Sequence, residues 1–257
     1  MIEVSGIRFG YPNKPLIFDD FSWVTKPGES WAVLGASGCG KSTLLYLLAG
    51  LRFPQSGVIK ISGEVLHRPR PHTSLILQDY GLLPWATVAE NIALGLRIRQ
   101  FYGPDGKHAP EGAILEKVEQ TVAYWIGRVG LIEVEDQFPG QISGGQRQRT
   151  AIARSLALTP DLLLMDEPFA SLDTLTREGL QKLILQLRRE SNLTTVTVTH
   201  SIEEAALLGE KILVMGSPPQ KRCTTIDNPD SGEVDFAGSP SYNTTCSQLR
   251  AVMEDLR

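Results

Sequence analysis

The sequence contains few of the residues that mark secreted, metal-binding or membrane-spanning chains. Of its 257 residues, three are cysteine and four are histidine. Cys39, Cys223 and Cys246 do not have the spacing of a metal site, so we expect reduced, unpaired thiols inside a cell. No apolar run reaches the ~18 residues that would span a membrane. The first residues also lack the basic and apolar segments of a secretory signal. These absences favour a soluble, intracellular protein.

A large excess of charge of one sign is also missing. The chain has 25 basic and 29 acidic residues, for a net charge of −4, which argues against a dedicated nucleic-acid-binding protein. The hydrophobic fraction of 42% and the charged fraction of 21% exclude a disordered or collagen-like chain. We find no internal repeat. At roughly 150 residues per domain, the length corresponds to one or two globular domains.

The order of apolar runs and breakers predicts strands first, helices in the middle, and alternating strands and helices later. The predicted strands are Ile2–Phe9, Leu16–Thr25, Trp31–Leu34, Gly57–Ile61, Ser74–Leu77, Leu162–Met165, Thr194–Thr199 and Lys211–Met215. The predicted helices are Lys41–Gly50, Thr87–Arg99, Ala113–Val129, one from about Arg147 to Leu158, Thr174–Glu190, Ile202–Leu208 and Gln248–Leu256. Alternation in the last part predicts a parallel sheet covered on both faces. For Ser217–Pro240 we expect a long, partly mobile connection without regular structure.

A glycine-rich segment follows the third predicted strand and opens the first predicted helix. Residues 35–42 read Gly-Ala-Ser-Gly-Cys-Gly-Lys-Ser and fit the phosphate-loop pattern G-x-x-x-x-G-K-[ST] in full. Glycines let backbone N–H groups surround phosphate oxygens, and the helix N-terminus adds partial positive charge. We expect Lys41 to reach the β- and γ-phosphates and Ser42 to bind Mg²⁺. The alternative is a glycine-rich turn before an ordinary helix.

Two carboxylates, Asp166 and Glu167, end the apolar strand that begins at Leu162. In α/β folds, ligands bind at the carboxyl ends of parallel strands. We therefore expect Asp166 to hold Mg²⁺, through water, and Glu167 to polarise an attacking water molecule. Read alone, the pair could equally be solvated loop residues; the phosphate loop upstream favours the catalytic interpretation.

A second anion-binding helix N-terminus is predicted at Ser143-Gly144-Gly145-Gln146. Ser143 could instead act only as a helix cap. Two phosphate-type sites in one chain are explained by a head-to-tail dimer, in which the second site of each subunit completes the first site of the other.

Together these motifs resemble the nucleotide-binding subunit of ATP-binding cassette (ABC) transporters, over about Ile2 to Met215. The ordered set comprises the phosphate loop, Gln78, Ser143–Gln146, Asp166-Glu167, Ser171-Leu172-Asp173 and His200. Ile142 stands where the family usually has leucine, a volume-conserving change that we do not expect to disturb function.

The resemblance assigns roles to individual residues. Nucleotide binding falls to Tyr11, which would stack on adenine, and to Gly35, Ala36, Ser37, Gly38, Cys39, Gly40, Lys41, Ser42, Thr43, Ser143, Gly144, Gly145, Gln146 and Asp173. The catalytic residues would be Glu167, Gln78 and His200. Of these, His200 would contact the γ-phosphate. The ligands of Mg²⁺ would be Ser42, Gln78 and Asp166. Asp173 would link the two sites of the dimer. Taken singly, Tyr11 could be an ordinary strand-end aromatic and His200 an ordinary surface or core residue.

The resemblance also implies a fold and a domain division. The expected fold is α/β: a P-loop NTPase core with a mostly parallel sheet, an N-terminal antiparallel β subdomain and a helical signature subdomain. We assign residues 1–216 to the ATPase domain, with the helical subdomain at about 87–158. Residues 217–257 are a C-terminal extension without an assigned role.

The implied function is ATP hydrolysis that powers a separate membrane permease. The run from Gln78 to Asn91, with Leu83-Pro84-Trp85 at its centre, resembles importers of nitrate, sulfonates and taurine, although Trp85 could be a hydrophobic anchor unrelated to cargo. Expected partners are permease subunits, a second copy of the chain and a substrate-binding receptor protein, with ATP and Mg²⁺ as cofactors and no nucleic acid. The subunit would lie peripherally on the cytoplasmic face of the membrane. Alternatives are a soluble ABC-type ATPase in cofactor assembly, repair or translation, and a nucleotide-sensing module without turnover.

Overall fold

The computed structural model describes residues 1–114, 117–170, 172–221, 224–233 and 235–256. Ser171 and Cys223, both singled out above, lie outside the described residues. The described chain forms two compact units. The first contains residues 1–69, 164–167 and the chain from Asn192 onward, and the second contains residues 70–163 and 168–191.

Ten strands and seven α-helices are present among the described residues. The strands are β1 (Ile2–Gly10), β2 (Leu16–Val24), β3 (Ser30–Gly35), β4 (Ser56–Ile61), β5 (Glu64–Val65), β6 (Thr73–Ile76), β7 (Leu162–Asp166), β8 (Thr194–Thr199), β9 (Lys211–Met215) and β10 (Thr224–Asp227). The helices are α1 (Lys41–Leu48), α2 (Val88–Tyr102), α3 (Val118–Val129), α4 (Gly144–Leu156), α5 (Thr174–Glu190), α6 (Ile202–Leu208) and α7 (Pro240–Asp255).

The first unit begins with a four-stranded antiparallel sheet in the order β2-β1-β4-β5. Along β1, buried Ile2, Val4 and Ile7 alternate with exposed Glu3 and Arg8, so one face of the strand packs on the core. The predicted N-terminal antiparallel β subdomain is confirmed.

The second sheet has the order β10-β9-β3-β8-β7-β6. β3 pairs in parallel with both β8 and β9, and β10 pairs antiparallel with β9. Every residue of β3 and of β8 is buried, as expected for central strands covered on both faces. β7 begins in the second unit, where β6 is its neighbour, and ends in the first at Asp166. The predicted mostly parallel sheet is confirmed.

The C-terminal region folds onto the first unit. Cys246 and Leu249 of α7 pack with buried residues of β3, β9 and α6. Buried Asn228 donates to the carbonyls of Ala206 and Gly209 at 2.7 and 2.8 Å and accepts from Thr245 at 3.1 Å. The expectation of an irregular connection over Ser217–Pro240 was wrong in part, because β10 lies within it.

Three predicted helix starts also require correction. The helix expected from about Arg147 begins at Gly144. The C-terminal helix begins at Pro240 rather than Gln248, with Ser239 as its cap. The helix expected from Ala113 begins at Val118. Leu115 and Glu116, inside the predicted span, lie outside the described residues.

Helices dominate the second unit. One apolar cluster joins α2, α3 and α4 through Val88, Ile92, Ala93, Leu96, Val118, Val122, Ile126, Val129, Leu131, Val134, Ile142, Ala153 and Ala157. Thr87 caps α2 through a capping box with Glu90. Within the described part of the chain, no helix is both long and apolar enough to cross a membrane.

Candidate functional site

The glycine-rich loop between β3 and α1 depends on its glycines for its backbone conformation. Gly38 and Gly40 have φ of 80° and 108°, in the region that side chains disfavour. A Cβ at Gly40 would lie 2.3 Å from the Ile17 side chain, and a Cβ at Gly35 would lie 2.7 Å from the Cys39 sulfur. A Cβ at Gly38 would meet nothing within 4 Å, so that residue faces open space. Packing therefore fixes one side of the loop and leaves the other open.

The loop lysine is buried and held by backbone carbonyls. Lys41 is 5% exposed, and its Nζ donates to the carbonyls of Gly35 at 2.8 Å and Ala36 at 3.0 Å. These bonds fold the ammonium group back over the first turn of the loop. A full positive charge is thus present at the loop, and its contact with the β- and γ-phosphates stays a prediction.

Ser42 and Asp166, both predicted to bind Mg²⁺, lie in contact. The Ser42 hydroxyl donates to Asp166 Oδ1 at 3.0 Å. Asp166 is 3% exposed, and this burial raises the pKa of its carboxyl group, whereas the bond from Ser42 opposes the change. A hydroxyl and a buried carboxylate are oxygen ligands of the kind that Mg²⁺ prefers. The residues therefore fit a magnesium ion next to the phosphate loop.

The next residue, Glu167, is held in an uncommon conformation beside His200. Its φ is 45°, a left-handed value that costs a non-glycine residue about 1–3 kcal/mol. Its N–H donates to the Val198 carbonyl at 2.9 Å, which fixes the turn after β7 against β8. Glu167 Oε2 lies 3.0 Å from His200 Nδ1. The structure therefore brings together two residues predicted to be catalytic.

Two hydrogen bonds fix the segment around His200. Thr199 donates from its hydroxyl to Glu204 Oε2 at 2.7 Å and accepts from the Ser201 N–H at 3.0 Å. The His200 side chain is 60% exposed, so it faces solvent rather than the core. The alternative of an ordinary core histidine is thereby excluded.

Tyr11 lies at the end of β1, near the loop. Its hydroxyl is 3.4 Å from the Thr43 hydroxyl, and its ring meets Phe9 edge-to-face. This arrangement positions the aromatic ring beside the first turn of α1. Stacking on adenine stays a prediction.

The remaining predicted residues belong to the second unit. Ser143 caps α4 through a capping box: its hydroxyl accepts from the Gln146 N–H, and Gln146 Oε1 accepts from the Ser143 N–H. A Cβ at Gly145 would lie 2.3 Å from Thr176 Cγ2, so close packing requires glycine there. The cap that was considered as an alternative is thus real, and it leaves the backbone N–H of Gly144 and Gly145 at a helix N-terminus.

Gln78 and Asp173 occupy turns of the second unit. Gln78 is exposed in the turn after β6. Asp173 Oδ1 accepts from the Thr176 N–H at 3.1 Å and caps α5; the hydrogen bonds from Thr176 lower the pKa of this carboxyl group. The roles of both residues toward nucleotide stay predictions.

Two residues outside the predicted site, Asn91 and Arg154, hold the loop after Gln78. Asn91 is fully buried; it accepts from the Leu83 N–H and donates to the carbonyls of Leu83, Ala86 and Thr87. Arg154 donates to the Tyr80 and Gly81 carbonyls, both at 2.7 Å. Asn91 is a polar residue one turn into a largely apolar part of α2. This polar position is the sequence signal that could have predicted its hydrogen bonds to the loop.

Comparison with known proteins identifies the family of this chain. The family model described as "ABC transporter" matches residues 18–170, more than half of the chain.

This chain belongs to the ABC transporter family.

It is therefore an ATP-binding cassette ATPase. The taurine import ATP-binding protein TauB of Pseudomonas aeruginosa PAO1 is 41% identical over 235 residues, which cover 91% of this chain and 82% of TauB. The bicarbonate transport ATP-binding protein CmpC of Synechococcus elongatus PCC 7942 is 37% identical over 96% of this chain. This chain spans only 37% of CmpC.

Solved structures support the same fold. The ABC cassette MJ0796, in a dimeric post-hydrolysis state bound to ADP and Pi, superposes with a TM-score of 0.73 and 26% identity over 88% of this chain and 98% of MJ0796. CbiO1 of Clostridium perfringens, part of the cbiONQ transporter complex, gives a TM-score of 0.74 at 24% identity over 98% of this chain and 97% of CbiO1. The predicted α/β cassette fold is confirmed.

Proposed function

We propose that this cassette hydrolyses MgATP to power a separate membrane permease that imports a small anionic or zwitterionic solute. The observation that carries the proposal is the 41% identity to the taurine import ATP-binding protein over 91% of this chain. Nitrate import and bicarbonate transport proteins have similar identity. A sulfonate, nitrate or bicarbonate is therefore the proposed class of cargo.

Phosphoryl transfer requires the protein mainly to position groups and to stabilise charge. In this proposal the loop N–H groups and Lys41 bind the β- and γ-phosphates. Ser42 and Asp166 would hold Mg²⁺. The metal neutralises phosphate charge when it is bound. The Ser42–Asp166 contact of 3.0 Å supports this assignment because it already places both side chains together.

Glu167 is the proposed general base. Glu167 has a left-handed backbone conformation, and the 3.0 Å contact with His200 Nδ1 holds its carboxylate. Glu167 would orient water and accept its proton, while His200 would contact the γ-phosphate. The retention of both residues favours turnover over a nucleotide-sensing module.

We also propose how this chain assembles, from its similarity to other ABC cassettes. Two copies would bind ATP head to tail, with Ser143–Gln146 of one copy completing the phosphate loop of the other. The dimeric cassette MJ0796, which is similar over 88% of this chain, supports this arrangement. Permease subunits and a substrate-binding receptor protein would complete the complex, with the cassette on the cytoplasmic face of the membrane.

Co-purification from gently solubilised membranes tests the transporter assignment. The tagged chain should retain an integral membrane protein with permease-like spans, identified by mass spectrometry, and phosphate release should require Mg²⁺. A parallel purification of the Trp85→Ala variant controls for nonspecific capture. Purification of an ATP-hydrolysing chain with no integral membrane protein bound to it would favour the alternative of a soluble ABC ATPase.

A further inference from the structure

A buried glutamine outside the recognised motifs contacts the phosphate loop. Gln220 is 2% exposed and lies in the C-terminal strap, which we define as residues Gly216–Lys221. Its Nε2 donates to the Cys39 carbonyl at 3.2 Å and to the Gly216 carbonyl at 2.6 Å. A side-chain amide nitrogen has two hydrogens, so both donors are used.

The backbone of the same residue anchors the strap to β2. The Gln220 N–H donates to the Ile17 carbonyl at 2.7 Å, and the Gln220 carbonyl accepts from the Asp19 N–H at 3.0 Å. Ile17 in turn packs against Gly40, where its Cγ2 would lie 2.3 Å from an added Cβ. Gln220 therefore connects the loop to β2: its side chain contacts the loop and its backbone pairs with β2.

The bond to Cys39 has a consequence for the next N–H along the chain. A trans peptide is planar, with its C=O and N–H directed to opposite sides. Fixing the Cys39 carbonyl toward Gln220 therefore directs the Gly40 N–H away from Gln220. Gly40, with φ of 108°, lies at the N-terminus of α1, where N–H groups bind anions. Reversal of this peptide would present a carbonyl oxygen where an N–H is needed.

We propose that Gln220 is a positioning residue: its side-chain amide holds the Cys39–Gly40 peptide so that the Gly40 N–H serves the nucleotide phosphates. The inference rests on the proposed function, because it presumes that the loop binds ATP. Gln220 acts through the loop backbone and does not itself touch nucleotide.

Two substitutions separate the hydrogen bond from simple filling of space. Gln220→Met keeps the length of the side chain and removes the donor, so the MgATP dissociation constant should rise roughly three- to tenfold, as expected for one lost neutral hydrogen bond. Gln220→Glu keeps the shape but places a carboxylate against two carbonyl oxygens, and affinity should fall by more than about tenfold. Calorimetric titration with MgATP measures both.

Lys221→Met is the matched control. Lys221 pairs with Asp19 at 3.2 Å and belongs to the same strap, but its side chain is 64% exposed and has no bond to the loop. This variant should bind MgATP like the wild type. The MgATP-induced increase in Tm reports affinity even for a variant that is less stable.

The outcomes distinguish this inference from the proposed function. An order of affinity of wild type, then Gln220→Met, then Gln220→Glu supports the positioning role. If both variants bind MgATP with wild-type affinity and only their Tm is lowered, Gln220 has a structural role and no positioning role. The proposed ATPase function would be unaffected by that result. Failure of the wild type itself to bind MgATP would overturn the proposed function as well.

Discussion

At the scale of single residues, Lys41 is the position where loss of one charge has the largest expected effect. Its ammonium group sits over the loop on the Gly35 and Ala36 carbonyls. Lys41→Ala should abolish productive ATP binding, because the phosphates lose the only full positive charge carried by the loop. Binding is checked by titration of the folded variant with MgATP.

Lys182→Ala provides the control for this measurement, since Lys182 is an exposed lysine of α5. It should hydrolyse ATP at the wild-type rate. Near-normal hydrolysis by a folded Lys41→Ala protein would disprove the phosphate-loop assignment.

Cys39 gives a second prediction at this scale. Cys39 is 3% exposed, and burial raises the pKa of its thiol more than the nearby Lys41 lowers it. Alkylation should therefore be slow, and the added bulk should block ATP binding once it occurs. Bound MgATP should slow labelling further.

Mass spectrometry of labelled protein, with and without MgATP, measures this protection. Cys246, buried at 3% on α7, serves as an internal reference. Equal labelling of Cys39 in both conditions would count against a nucleotide next to it.

At the scale of elements, the loop Tyr80–Ala86 joins β6 to α2 and is fixed from two sides. Asn91 and Arg154 satisfy its backbone groups, yet the Trp85 side chain remains 74% exposed. Because these hydrogen bonds hold the loop while the Trp85 ring faces water, we expect the ring to contact a partner. Trp85 is therefore not an ordinary core residue.

Trp85→Ala should weaken assembly with the permease, or its coupling to hydrolysis, while basal hydrolysis is unchanged. Co-purification and ATPase assays on the same preparation measure the two quantities. Phe101→Ala, at another exposed aromatic residue of the same unit, is a suitable control. Loss of fold or of ATP binding in Trp85→Ala would show that the residue has a structural role.

Contiguous motifs were readable from the sequence because their chemistry is local. The phosphate loop lies within residues 35–43, and the cap at Ser143 needs only Gln146 three residues later. The acidic pair was equally visible, since a buried strand leads directly into it. Helix and strand types followed from the periodicity of apolar residues.

Features that depend on distant partners were not readable. The role of Gln220 depends on its hydrogen bonds to Ile17 and Cys39, which lie about 200 residues earlier in the chain. The first half of α7 is rich in serine, threonine and asparagine, so the buried positions Cys246 and Leu249 of this helix did not form an obvious apolar stripe. β5 has only two residues, too few to show any period.

At the scale of the whole molecule, the proposed unit of activity is a pair of chains. Glu167→Gln should keep ATP bound, because Lys41, Ser42 and Asp166 are unchanged. Bound ATP should then hold two copies together through the helix N-terminus at Ser143. Light scattering with MgATP should give twice the monomer mass for this variant.

The same sample with MgADP should remain monomeric, as should the wild type after hydrolysis. A persistently monomeric, inactive variant would count against the head-to-tail dimer of isolated chains, but it would leave the catalytic role of Glu167 intact. The dimer and the base are thus tested separately.

The central claim is that this cassette hydrolyses ATP with Glu167 as the base. Steady-state MgATP turnover by wild type and Glu167→Gln tests it most directly, because the substitution preserves shape and removes the basic carboxylate. Loss of a general base typically lowers a rate by about 10²–10⁴-fold. We predict a decrease in that range with MgATP binding retained. Turnover by a correctly folded Glu167→Gln protein at the wild-type rate would contradict the account.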